Sequence, residues 1–320
     1  MSILIPVYGV EKYIERCAKS LFEQTYPNIE YLFINDCTKD SSISILNEVK
    51  KIYPQRSLMV KIINHDKNRG LAAARNTGVD ASTGDYLMHV DSDDYLENNA
   101  VEILVKKAVE ENDDIIVFGN YVIKNGGRDL SLPKYSLQGT DKVNYIKAML
   151  VHQTPSSIWN KFYNAKFYKN SGIRSIEGLN HGEDYAVVPR LIHKASKIGV
   201  VELPLYYYEQ SNVNSYMNNI TQKSVLNIKQ ADEILIDYFA HIEDSSNYQD
   251  ALSTLEYRSM LALVKVAKCE NYSLIYNMFE LSGRSVSGLS SSDRLLVFLL
   301  ERRLFSLAAL VIGVFWKLRK

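Results

Sequence analysis

The stretch Gly84-Asp85-Tyr86-Leu87-Met88-His89-Val90-Asp91-Ser92-Asp93-Asp94-Tyr95-Leu96 sets an apolar run directly before a knot of carboxylates. Tyr86, Leu87, Met88 and Val90 read as a buried strand, with Asp91, Asp93 and Asp94 at its C-terminal end. In open α/β sheets, ligands sit in the crevice outside the carboxyl ends of the strands. On an extended chain Asp91 and Asp93 alternate with Ser92, which predicts that both face one side. Like charges ~6 Å apart repel by roughly 3 kcal/mol at an effective dielectric of about 20. A hard divalent cation bridging to phosphate oxygens relieves that repulsion, since Mg²⁺ is typically held by one or two carboxylates plus substrate phosphates. Asp and Asn are also good helix caps, so the same acids can open the helix that follows. The rest of the chain has to choose between these readings.

On either side of this stretch, strands and helices alternate. Ser2–Val7 is strand-like and is followed by a helical stripe over 11–24; Ile29–Ile34 is a second strand and Ser42–Tyr53 a helix. Val60–Ile63, the Ala-rich helix Leu71–Val79, the strand Tyr86–Val90, the helix Ala100–Glu110 and the strand Ile115–Phe118 continue the rhythm. Such alternation predicts an α/β fold, a mostly parallel sheet flanked by helices. Polar residues cluster after each strand: Tyr8 and Glu11, Asp36, Asn68 to Arg75, and Asp91 to Asp94. In a parallel sheet those loops converge on one crevice. Asp36 and Glu11 can equally be helix-start chemistry. Arg75, on a small-residue helix face, can balance phosphate or the Asp cluster, or can make a surface ion pair of little worth.

Composition excludes several classes. Lys+Arg and Asp+Glu both total 37 in 320 residues, which gives no argument for a nucleic-acid partner. Cys17, Cys37 and Cys269 show neither paired nor zinc spacing, which suits a reducing, cytoplasmic setting. The opening Met1-Ser2-Ile3-Leu4-Ile5-Pro6-Val7 lacks a basic region and reads as a first strand rather than a signal peptide. Neither G-x-G-x-x-G nor G-x-x-x-x-G-K-[ST] follows any strand, against a dinucleotide oxidoreductase or a P-loop enzyme.

Four segments occur in order with suitable gaps: Ile3-Leu4-Ile5-Pro6-Val7-Tyr8 with Glu11 and Tyr13; Ile34-Asn35-Asp36-Cys37-Thr38-Lys39-Asp40; Asn68-Arg69-Gly70 through Arg75-Asn76 and Gly78; and Val90-Asp91-Ser92-Asp93-Asp94. As a set they resemble the nucleotide-sugar domain of glycosyltransferase family 2, over roughly residues 1–210. Downstream, Ser157-Ile158-Trp159-Asn160-Lys161, then Asn170 to Gly172, then His181-Gly182-Glu183-Asp184, are similar to that family's acceptor half. The resemblance implies an inverting transferase with the Rossmann-like A-type glycosyltransferase fold, of the kind that builds bacterial capsule, lipopolysaccharide or other polysaccharide. It implies Asp184 as catalytic base with Glu183 beside it. Pro6, Tyr8 and Glu11 would line the base and ribose pocket, and Asp36 would accept from the uracil N–H. Asn68, Gly70, Arg75 and Ser92 would join the donor site, Asp91 would contact ribose or help hold the metal, and Asp93 would be the main ligand to Mn²⁺ or Mg²⁺. Trp159 is expected either to stack on sugar or to pack in the core. Two positions depart from the family pattern: Asn35 replaces the first of a paired Asp, and Gly9 after Tyr8 is expected to loosen its loop.

Inverting transfer is an in-line displacement at the anomeric carbon. A base takes the acceptor hydroxyl proton, worth typically 10²–10⁴-fold, and charge on the departing diphosphate needs electrostatic neutralisation. The resemblance therefore implies a nucleoside-diphosphate sugar donor, a uridine one by expectation, and a glycan or lipid-linked acceptor. A sugar-1-phosphate nucleotidyltransferase would want a Gly-, Arg- and Lys-bearing loop after the first strand, where Pro6 to Lys12 stands instead. A non-catalytic nucleotide-sugar binding protein is the other alternative.

The chain divides by expectation into a catalytic domain over 1–210 (nucleotide-sugar half 1–120, acceptor half 121–210), a helical extension over 211–281, and a Ser-rich connector with apolar-basic helices over 282–320. The edge strand of the first domain is placed at Tyr206–Tyr208. Helical stripes over Val225–Ile242 and Ala251–Ala267 shape an acceptor site or a homodimer contact. Leu304–Trp316 is too short for the ~20 residues that span a bilayer. With its basic flanks, segment 295–320 is expected peripherally on the inner face of the cell membrane, a dimerisation or core-docking helix being the alternative.

Overall fold

The computed structural model describes residues 1–124, 127–135, 137, 140–211, 220–279, 281 and 286–317. The chain forms two compact units, residues 1–142 with 156–213, and residues 143–155 with 214–320.

The first unit is built on one sheet. In chain order it contains β1 (Ser2–Val7), α1 (Ile14–Phe22), β2 (Glu30–Asn35), α2 (Ser42–Ile52), the single turn α3 (Pro54–Ser57), β3 (Val60–Asn64), α4 (Leu71–Ala81), β4 (Tyr86–His89) and β5 (Tyr95–Leu96). It continues with α5 (Ala100–Glu111), β6 (Ile115–Lys124), β7 (Gly127–Ser131), the start of α6 (Thr140–Leu150), β8 (Lys161–Asn164), α7 (Ala165–Asn170), α8 (Glu183–Lys194) and β9 (Ile198–Glu209). Among the described residues the strand order is β3-β2-β1-β4-β8-β6-β9-β5, with β7 on β6. β3, β2, β1 and β4 are parallel, with Ile3 opposite both Tyr31 and Met88. β8 is antiparallel to β4 and β6, and β9 is parallel to β6. The expected α/β sheet flanked by helices forms; among the described residues it is mixed, with four of its eight strand pairings parallel.

β1 is buried along its whole length, as a strand covered on both faces must be. Ile3, Ile5 and Val7 pack with Ile14, Cys17 and Leu21 of α1 and with Val101 and Leu104 of α5. α4 packs against β1 and β2 through Gly78, where a Cβ would stand 3.2 Å from Leu4 Cβ and 3.1 Å from Ile34 Cδ1. Small residues thus bring the helix backbone down onto the sheet and carry Arg75 to the strand ends.

Two local expectations fail. The strand at Tyr86 ends at His89, and Asp91–Asp94 folds as a turn closed by the Asp94 N–H on the Asp91 carbonyl at 3.0 Å. Strand alternation therefore does not relate Asp91 to Asp93. Tyr206–Tyr208 is not on a free edge either: β9 pairs with β6 on one side and with β5 on the other, at Tyr207–Tyr95 and Tyr206–Leu96.

The second unit carries α9 (Gln222–Ala240), α10 (Gln249–Val266), α11 (Tyr272–Phe279), α12 (Ser291–Glu301) and α13 (Phe305–Lys317). Thr221 and Ser224 form a reciprocal cap on α9. Leu261, Val264, Ile275, Phe279, Leu296 and Leu300 are among the side chains of its core. Of the Ser-rich connector, residues 282–285 lie outside the described residues, and Ser290 caps α12 through the Asp293 N–H. Among the described residues, no helix is long and apolar enough to cross a membrane.

Candidate active site

The loops after β1 and β2 are stitched together by hydrogen bonds. The Gly9 N–H donates to Thr38 Oγ1 at 2.9 Å, the Glu11 N–H to Asp40 Oδ2 at 2.9 Å, and the Ser41 N–H returns to Glu11 Oε2 at 3.0 Å. Gly9 has φ +69°, a left-handed conformation that glycine adopts without strain. The expected loosening at Gly9 is thus corrected: the backbone there is tied down, and its geometry favours glycine. Tyr8 is exposed beside it, whereas Pro6 is buried within β1.

Asp36, at the end of β2, is buried and bonded on both oxygens. Oδ1 accepts the Arg69 N–H at 2.8 Å and lies 2.7 Å from His65 Nδ1, while Oδ2 accepts the Gly70 N–H at 2.7 Å. His65 Nε2 lies in turn 2.9 Å from Thr77 Oγ1 on α4. Asp36 therefore pins the loop that leads into α4, and any uracil contact would share a carboxylate already in use. Gly70, with φ +89°, caps that helix where a Cβ would meet the Asn180 side chain at 2.4 Å. Asn68 is exposed on the same loop.

Arg75 is the hub. Its side chain is 2% exposed, and three carboxylates surround it: Asp91 Oδ1 at 3.0 Å from Nη1, Glu183 Oε1 at 3.5 Å from Nη2, and Asp184 Oδ1 at 3.4 Å from Nε. The surface-pair alternative for Arg75 is thereby excluded. One guanidinium joins the acid turn after β4 to the first turn of α8, where unpaired N–H groups and the helix dipole favour negative charge. Asp184 Oδ2 also accepts the Ile158 N–H at 2.9 Å. Burial pushes Glu183 up to about 8, with Asp184 adding to the shift and Arg75 opposing it. Burial likewise raises Asp184, against the pull of Arg75 and Lys161.

The acid turn divides its labour. Asp94 is buried, accepting from Tyr206 Oη at 2.6 Å and the Glu209 N–H at 2.7 Å; burial, with Asp93 and Asp91 nearby, holds it well above the usual carboxylate range. The Asp91 N–H donates to the same Tyr206 oxygen at 3.1 Å. Asp94 and Tyr206 therefore fix the turn, while Asp91 (24% exposed) and half-buried Asp93 keep part of their surface in solvent. Arg16 Nη2 donates to the Asp93 carbonyl at 3.1 Å and to Glu209 Oε2 at 3.0 Å. Ser92 is buried. Among the described residues, no group of three or more His, Cys, Asp or Glu side chains could hold a metal ion by itself.

Trp159 is 8% exposed, with its ring stacked on Tyr206 at 4.5 Å and Tyr208 at 5.2 Å. Of the two expectations for this residue the core-packing one holds: the ring lies against tyrosines and belongs to the core. Sequence reasoning missed three residues. Tyr206 organises the acid turn, and only its place in a run of tyrosines hinted at it. His65 props Asp36, with no local signal. Lys161, fully buried, donates to the Ser157 carbonyl at 2.6 Å and Asn160 Oδ1 at 2.7 Å, closing the loop that offers the Ile158 N–H to Asp184. Burial lowers Lys161 to about 7, with Asp184 opposing the shift. A lysine inside the apolar run Ile158 to Tyr163 was the available clue.

Residues 2–173 match the family model described as glycosyl transferase family 2. The chain belongs to that family. As a family 2 glycosyltransferase it is similar to EpsH of Bacillus subtilis (strain 168), whose own glycosyltransferase name is provisional, at 32% identity over 213 residues. It is also similar to the glycosyltransferase GlyA of Streptococcus pneumoniae serotype 4 (strain ATCC BAA-334 / TIGR4), at 33% identity over 218 residues. The matched region covers 65% of this chain in both cases, but 60% of EpsH and 30% of GlyA, so it spans less than two thirds of either relative. The fold is that of residues 1–349 of S. aureus TarS crystallised with UDP-GlcNAc, with a TM-score of 0.72 at 17% identity, covering 99% of this chain and 91% of that one. The resemblance read from the motifs and the α/β architecture it implied are both borne out.

Proposed function

We propose that this glycosyltransferase moves a sugar, with inversion, from a uridine diphosphate donor to a hydroxyl of a glycan or lipid-linked acceptor in cell-surface polysaccharide synthesis. The observation that carries the reading is the Arg75 hub, which places Asp184 and Asp91 on one guanidinium. The UDP-GlcNAc named with the TarS structure supports the choice of donor.

Asp184 is the base in this reading. A carboxylate raised by burial binds a proton more readily than one in water, which suits a group that must take one from a hydroxyl near neutral pH. The Arg75 guanidinium opposes that rise and favours the carboxylate form that accepts a proton. Glu183, pushed up to about 8 by burial with Asp184 beside it, leans toward its protonated form. Ile158 fixes one Asp184 oxygen, so the other is aimed by the hub rather than left to rotate.

Asp93 and Asp91 would hold a hard cation brought with the diphosphate: they supply oxygen donors on a turn that Asp94 and Tyr206 lock. Mn²⁺ or Mg²⁺ held there would neutralise charge on the departing diphosphate. Glu11 and Tyr8 on the stitched loop would face the nucleoside, with Asp36 holding the wall behind it. A panel of nucleotide sugars, assayed for transfer or hydrolysis with Mn²⁺ and again with excess chelator, tests the proposal. Turnover of a uridine sugar lost on chelation is expected; a purine sugar as the sole substrate, or turnover indifferent to chelator, contradicts it.

A further inference from the structure

α12 and α13 form a hairpin in the second unit, turned at Arg303, whose φ is +55°. One face of α13 is spent on the core: Ala308 and Ile312 are buried, with Phe305 and Ala309 packed beside them. That is the i, i+3, i+4, i+7 pattern of a helix docked along one side. The opposite face is equally apolar, yet open. Leu304, Leu307, Leu310 and Val314 are exposed, Leu310 at 64%, and Leu295 and Phe298 are exposed on α12. Exposed apolar residues at this spacing and in this number mark an interaction surface.

Charge selects the occupant. From 302 to 320 the sequence carries Arg302, Arg303, Lys317, Arg319 and Lys320 and no Asp or Glu, with Glu301 just before it. Arg302 and Arg303 are exposed at the hairpin turn. A second copy laid on the same stripe would bring the five cations of each copy together, with Glu301 the one adjoining carboxylate to pair them. An anionic lipid surface takes both features at once, acyl chains under the leucines and headgroup phosphates on the arginines. At 1.5 Å per residue, the 13 residues of α13 extend about 20 Å, short of the ~30 Å hydrocarbon layer, so the helix would lie in the interface. We infer that the Leu304–Val314 stripe with its arginine turn docks on an anionic phospholipid surface. This stands on the second unit alone and does not depend on the donor chemistry proposed above.

The test is co-sedimentation of the full 320-residue chain with vesicles of phosphatidylcholine alone or with phosphatidylglycerol added, at low and high salt. Binding at least tenfold tighter to the anionic vesicles, and weakened by salt, is expected, since each cation near such a surface contributes about fivefold. Leu307→Glu with Leu310→Glu should remove binding, and these positions are exposed, so the fold should survive by circular dichroism. Arg302→Gln with Arg303→Gln, a purely electrostatic change, should cost about 25-fold on anionic vesicles and little on neutral ones. Equal partition into both vesicle types, or none, overturns the inference. So does a concentration-dependent dimer that the leucine variant abolishes.

Discussion

Replacing Arg75 by Met keeps most of the side-chain volume and removes the charge that three carboxylates share. Those contacts lie at 3.0, 3.4 and 3.5 Å, and the guanidinium is 2% exposed, so water cannot step in without opening the site. Removing one partner from a buried ionic network costs roughly 3–5 kcal/mol. For a unit of this size, each kcal/mol moves Tm by about 2–4 °C, which predicts a fall of roughly 6–20 °C. The pH dependence sharpens the test. Glu183 has a folded pKa of about 8 against an ordinary 4.5, so its contribution to stability is fully present below 4.5 and is lost as pH rises through about 8. Arg75 pulls both Glu183 and Asp184 down, so without it their folded values move higher. In the variant the loss therefore extends to higher pH than in the parent. Calorimetric melting of both proteins from pH 6 to 9 measures this. A deficit under about 2 °C that stays flat with pH would refute the hub, because an isolated pair is worth no more than about 1 kcal/mol.

Two further outcomes follow from the same geometry. Asp36→Asn turns one accepting oxygen into a donor facing the Gly70 N–H, so it should cost roughly 1.5–3 kcal/mol in urea titration, with a change near zero contradicting the anchoring role. Lys161→Met removes a cation that lowers Asp184, so the acid limb of the transfer rate should move to higher pH; an unmoved limb with reduced rate would make Lys161 a packing residue only.

The sheet, its helices and the four loops at its edge were legible because apolar runs and polar strand ends repeat with a fixed rhythm. Arg75 was legible as a candidate, since a long cation on a face of alanines has to go somewhere specific. What it binds was not, because Asp91 and Glu183-Asp184 lie 16 residues and more than a hundred residues away, and only the tertiary fold brings them together. The same holds for Tyr206, which reaches the acid turn from β9 through pairing with the two-residue β5. Strand alternation misplaced Asp93 because the chain leaves the sheet at His89 and turns on a hydrogen bond between Asp94 and Asp91, which Asp-rich sequence permits but does not announce. For Trp159 the sequence left sugar stacking and core packing open, because an aromatic beside polar residues has the same signature whether its face is open or covered.

Asp184→Asn tests the account at its centre. Asn retains the acceptor for the Ile158 N–H and the size of the side chain, but it cannot take a proton. UDP titrated into the variant with Mn²⁺ should bind as it does to the parent, while transfer falls by roughly 10²–10⁴-fold. Transfer at the parent's rate, with nucleotide binding intact or lost, would show that the proton goes elsewhere.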